Sequence, residues 1–74
     1  MRKVKVTPFS LWLKNERLKR GMTQGEFGAL LGASFATIVN LEKAKTKPRL
    51  KTQKAMVKEL HIDFETLQKM MEAE

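Results

Sequence analysis

The spacing of helix signals between Thr23 and Lys43 constrains this chain more than any other feature. Thr23 with Glu26 three residues on is a capping box, in which each side chain satisfies the other's backbone N–H. Phe27, Leu30 and Leu31 follow as an apolar stripe at helical spacing. Gly32 ends that helix, because glycine enters the left-handed region without steric cost. Ser34 opens the next, whose inward side carries Ile38 and Leu41, with Ser34 and Thr37 alongside. Only Gly32 and Ala33 separate the two helices. So short a turn packs them closely against each other, which requires a small residue at the closest approach. Gly28 supplies one.

Three further helical segments flank this pair. Thr7 is an N-cap and Pro8 a first helical residue, where the missing N–H costs nothing. From there Phe9, Leu13 and Arg17 share a face, with Trp12 beside them as a packing residue, and the segment stops at Gly21. A fourth helix follows Pro48, with Thr52 as its expected cap and Met56, Val57 and Leu60 inward. A fifth, capped by Asp63, carries Phe64, Leu67, Met70 and Met71. These four large apolar residues exceed what one buried face needs, so residues 62–71 are a candidate dimer seam. After residue 7 nothing alternates as a strand does. Before it, Lys3 to Thr7 alternates briefly and reads either as a short strand or as a flexible basic arm. The expected fold is all-α with five helices in one domain, 1–74. Its parts are the arm 1–7, the paired helices 23–43 and the C-terminal helix 63–74.

Composition excludes several classes. A chain of 74 residues buries only about 60% of its unfolded surface, so its stability margin is thin. There is no cysteine to add a disulfide or a Cys-based zinc site. No apolar run approaches the roughly 18 residues of a membrane span, so the expected location is cytoplasmic, without membrane contact. One His, no Tyr and no paired carboxylates in an apolar setting leave catalysis without a foothold. His61 stands alone, too few groups for a metal site. Gly25, Gly28 and Gly32 follow no strand and so form no nucleotide-binding loop. The expectation is a non-enzyme with no cofactor and no metal.

Charge points toward a partner. Residues 1–58 carry fourteen basic and three acidic side chains, net +11, whereas residues 59–74 carry one basic and five acidic, net −4. So one-sided a field suits a polyanion. The run Lys43, Lys45, Lys47, Arg49, Lys51, Lys54 contains no acid. By itself it reads as a solvated surface or as a phosphate clamp; beside the paired helices, the clamp is favoured. At 100° per residue, the outer side of the second paired helix is Ala36, Val39, Asn40 and Lys43, with Phe35 on its flank. Asn can pair bidentately with adenine, and Phe, Ala and Val can pack against thymine methyl groups.

Taken together these residues resemble the Cro/repressor (lambda repressor-like) helix-turn-helix family of phages and bacteria. The resemblance rests on Arg17, Gly21-Met22-Thr23-Gln24, Glu26-Phe27-Gly28, Leu31-Gly32-Ala33-Ser34, Thr37-Ile38, Leu41-Glu42 and Pro48, and spans roughly residues 9–71. It implies that Gln24 binds a phosphate at a helix N-terminus, and that Ser34, Phe35, Ala36 and Asn40 face bases. It also implies that Lys43, Lys45 and Lys47 contact phosphates, and that Arg17 and Glu42 form an inward salt bridge. The resemblance further implies a Cro-type transcriptional regulator, with recognition helix 34–43 in the major groove of double-stranded DNA. A dimer would read half-sites about 34 Å apart.

The chain also departs from the family pattern. Ala44 stands where the family usually has glycine, so a reshaped loop is expected there. Gly25 lies inside a helix, at a cost of about 1 kcal/mol. The recognition helix is apolar at Phe35, Ala36 and Val39, which also suits a protein partner. The rival expectation is accordingly a modulator that binds a second helix-turn-helix repressor, as some small phage-switch proteins do. An antitoxin, of the kind that shares the fold, is a further alternative.

Overall fold

The computed structural model describes residues 7–72. It contains α1 (Pro8–Lys19), α2 (Gln24–Leu31), α3 (Phe35–Glu42), α4 (Leu50–Leu60) and α5 (Phe64–Glu72). Among the described residues there is no strand, and the expected all-α architecture of five helices is the observed one. No described helix is long and apolar enough to cross a membrane. Of the expected basic arm, 1–7, residues 1–6 lie outside the described residues and Thr7 is the N-cap of α1; of the expected C-terminal helix, 63–74, residues 73–74 lie outside them.

Local chemistry explains most helix boundaries. Ser10 N–H donates to Thr7 Oγ1 at 3.1 Å and Thr7 N–H to Ser10 Oγ at 2.9 Å, so serine completes a capping box at the start of α1. In α2, Glu26 N–H donates to Thr23 Oγ1 at 3.1 Å while Glu26 Oε1 accepts from Thr23 N–H at 2.8 Å. Gly32 closes α2 in the left-handed region at φ 69°. Asp63 caps α5, its carboxylate accepting from Thr66 N–H at 3.3 Å. The start of α4 differs from expectation. Its cap is Arg49, not Thr52, and no side chain caps it. Pro48 cannot continue a helix backward, so the helix begins two residues after it. Gln53 instead reaches back to donate to the Pro48 carbonyl at 2.9 Å.

Ten buried residues from all five helices make one core: Phe9 and Leu13, Phe27 and Leu31, Ile38 and Leu41, Met56 and Leu60, Leu67 and Met71. Trp12 packs on its edge, tilted against Phe9 with ring centroids 6.0 Å apart. Between α2 and α3 the backbones nearly touch. A Cβ built on Gly28 would lie 2.7 Å from the Ala33 carbonyl oxygen and 3.4 Å from Ile38. The Ala33 N–H in turn donates to the Gly28 carbonyl at 2.8 Å, clamping the turn onto α2.

The loop after α3 keeps the left-handed turn that glycine normally supplies. Ala44 adopts it at φ 59°, so the loop keeps a left-handed residue and carries strain where a reshaped loop was expected. That conformation costs a Cβ-bearing residue about 1–2 kcal/mol, partly offset in glycine by a more flexible unfolded chain. Ala44→Gly is therefore expected to stabilise the protein by roughly 0.5–1 kcal/mol. A lower or unchanged urea midpoint would contradict this.

Candidate nucleic-acid interface

The site begins with a largely buried ion pair that holds α1 against α3. Arg17 Nε donates to Glu42 Oε2 at 2.7 Å and Arg17 Nη2 to Glu42 Oε1 at 3.1 Å, a bidentate fork. The side chains are only 12% and 5% exposed. The hydrogen bond that Arg17 donates to Glu42 raises the Arg17 pKa above its ordinary value, against the opposing effect of burial. Arg17 Nη1 also donates to the Met22 carbonyl at 3.1 Å, pinning the turn into α2. Gln24 belongs to the same network, its amide donating to Glu42 Oε1 at 3.2 Å. The side chain expected to meet a phosphate is thus turned inward, onto Glu42.

This network orients α3. Ile38 and Leu41 point into the core, and Glu42 is held by Arg17, so the opposite side of the helix is left outward. Phe35 is 60% exposed, Ala36 is exposed, and Val39 and Asn40 are half-buried. Ser34 is exposed, but its hydroxyl caps α3 by accepting from Thr37 N–H at 3.1 Å, and it hydrogen-bonds Thr37 Oγ1 at 2.9 Å. Lys43, Lys45 and Lys47 are all exposed on the loop that follows. The Asn40 carbonyl accepts from Lys45 N–H at 2.9 Å, which ties that loop to the end of α3.

Two grooves flank α3. One runs over the ion pair and is rimmed by Leu11, Lys14, Gln24 and Lys43. The other lies between the start of α3 and the following loop, lined by Ser34, Thr37, Asn40, Lys47, Arg49 and Lys51. Lys14 was not singled out in the sequence. It sits on α1, ten residues before Gln24, and only the packing of α1 on α3 brings it to the same rim.

The electrostatic balance around α3 is decided by where the few acids go. Glu16 is held by Arg20 at 2.6 Å and Lys19 at 3.1 Å. Partial burial raises its pKa, but those two hydrogen bonds and charges outweigh it and leave the carboxyl below its ordinary value. Glu26 closes the α2 capping box, and Glu42 is taken by Arg17. All three acids of the first 58 residues are thus engaged away from the loop. None of the described ion pairs includes Lys43, Lys45, Lys47, Arg49 or Lys51.

A family model described as helix-turn-helix matches residues 13–67, most of the chain. The protein belongs to this Cro/repressor-type helix-turn-helix family, whose members are DNA-binding regulators. No match to an individual curated protein was found.

Proposed function

We propose that this protein is a sequence-specific transcriptional regulator of the Cro type. It inserts α3 into the major groove, with Phe35, Ala36, Val39 and Asn40 toward the bases. Lys43, Lys45 and Lys47 grip phosphates beside it, and Gln24 gives up Glu42 for a phosphate at the start of α2. Ser34 acts chiefly by fixing the helix that carries these groups. The single observation that carries this reading is the run of exposed lysines after α3, outside every described ion pair, next to the outer side of that helix where Phe35 and Ala36 are exposed. No catalytic step is invoked, and the protein acts where its DNA is, in the cytoplasm of a bacterial cell.

The functional unit in this reading is a dimer through residues 62–71. Leu67 and Met71 are buried in the protomer itself, which leaves Phe64, 41% exposed, as the main apolar contact. The test is a DNA titration across salt concentrations. Log K falls with log salt by about 0.9 per phosphate contacted, so replacing Lys45 and Lys47 with alanine should flatten the slope by about 2 per protomer, or about 4 for the dimer. Asn40→Ala should weaken the preferred site by about 1–3 kcal/mol and relax one base position. Failure to bind any DNA at about 50 mM salt, where phosphate contacts are strong, would overturn the reading.

The exposed Phe35 favours a second reading, in which the same face docks on another helix-turn-helix repressor. An antitoxin that covers a toxin is a variant of it. Val39→Lys places a charge in that face, and an unchanged partner affinity would argue against protein docking there.

A further inference from the structure

We infer that the reading face is a methyl detector: the protein selects A·T-rich half-sites mainly through the C5-methyl groups of thymine. The inference rests on the proposed DNA-binding role and specifies what α3 reads. On the outer side of this helix Phe35 and Ala36 are exposed and Val39 and Asn40 half-buried, and of these four only Asn40 has hydrogen-bonding groups; the Ser34 and Thr37 hydroxyls beside them bond each other, and Ser34 also caps the helix. Glu42, the one acid of α3, is locked in the buried pair with Arg17 and Gln24. It cannot accept from cytosine N4. Guanine O6 and N7 require a donor such as Arg or Lys, and the first cation, Lys43, follows the last residue of α3.

The physical consequence is selective. Pressing Phe35, Ala36 and Val39 onto a G·C pair strips water from guanine and cytosine polar groups and returns no hydrogen bond. Pressing them onto an A·T pair also covers adenine N7 and N6 and thymine O4, but part of the area covered is the thymine methyl, an apolar group that gains from leaving water and that a G·C pair lacks. Asn40 can complete the pattern with one adenine, through its paired donor and acceptor. Phe35 is placed to contribute most, because its ring is large, largely exposed, and held at the first turn of α3 by the Ser34 cap.

The experiment has two stages. Selection from a random duplex pool by the full chain first yields its preferred site. That site is then remade with deoxyuridine at each thymine in turn, which deletes only the methyl and keeps base pairing and O4 intact. The expected result is an A·T-rich site in which two or more uridine positions weaken binding roughly fourfold each, the worth of one buried methyl-sized group. At one of them the penalty disappears in Phe35→Ala, whose exposed side chain leaves the core untouched. A selected site that tolerates uridine everywhere, or that is built on G·C pairs, overturns the methyl inference while leaving DNA binding intact. Absence of any enrichment from the pool instead removes the DNA-binding reading, and the inference falls with it.

Discussion

Glu42→Ala is expected to cost about 3–5 kcal/mol, because it leaves a buried guanidinium without its counter-charge. Arg17 cannot simply swing into solvent. Its side chain is 12% exposed and also holds the Met22 carbonyl, so leaving the site undoes the turn before α2. A chain of this size is stable by roughly 4–11 kcal/mol. The variant therefore melts at a temperature lower by about 15–30 °C, or is largely unfolded at room temperature. A companion variant separates the pair's net worth from the penalty of an orphaned charge. Arg17→Met with Glu42→Leu removes both charges and should recover most of the loss. Thermal melts followed by circular dichroism check both. A single-variant loss below about 1 kcal/mol would show that water reaches the guanidinium and that the pair behaves as a surface one.

Gly28→Ala should destabilise the protein by about 1–3 kcal/mol, although alanine is much the better helix former. Propensity alone favours the substitution by about 1 kcal/mol. Against it stands a contact of 2.7 Å between the new methyl and the Ala33 carbonyl oxygen. The obstacle is backbone, and the hydrogen bond from Ala33 N–H to the Gly28 carbonyl prevents the turn from retreating. Relief requires α3 to move off α2, which opens the contact between Gly28 and Ile38. Gly25→Ala is the control in the same helix. There the new Cβ would meet only Thr23 Oγ1 at 4.0 Å. A urea midpoint raised by Gly28→Ala would mean that the two helices separate more easily than their geometry indicates. The prediction also bears on function, since the Gly28 contact sets the angle at which α3 leaves the body of the protein.

Much of the architecture was legible in the sequence because it is written in local chemistry. Thr7, Thr23, Ser34 and Asp63 satisfy donors within three residues of themselves, so their roles survive without knowledge of the rest of the chain. Gly32 answers to its own φ. Where local signals compete, the wider chain decides between them. Thr52 is the better intrinsic cap, yet α4 begins earlier, at a residue with no side-chain cap. Its position follows from Pro48 and from packing against α2 and α5. Ala44 shows the same limit from the other side. Isolated, alanine avoids the left-handed region, but the bonds from Ala44 N–H to Leu41 and from Lys45 N–H to Asn40 hold it there.

The sequence by itself determined that two short helices would meet across Gly32 and Ala33, and that a run of cations would follow them. Caps, periodicity and a two-residue turn act over distances that a chain segment spans alone. Only the tertiary structure decided which charges remain available. Arg17 and Glu42 are 25 residues apart, and their pairing withdraws the one acid of α3 from the outer surface while drawing in Gln24. Lys14 reaches the rim near Gln24 only because α1 packs on α3. The apolar character of Phe35, Ala36 and Val39 was visible as letters, but their outward direction depends on Ile38 and Leu41 filling a core shared by five helices. The direction of a side chain in space is set by what its neighbours bury, and burial is a property of the whole fold.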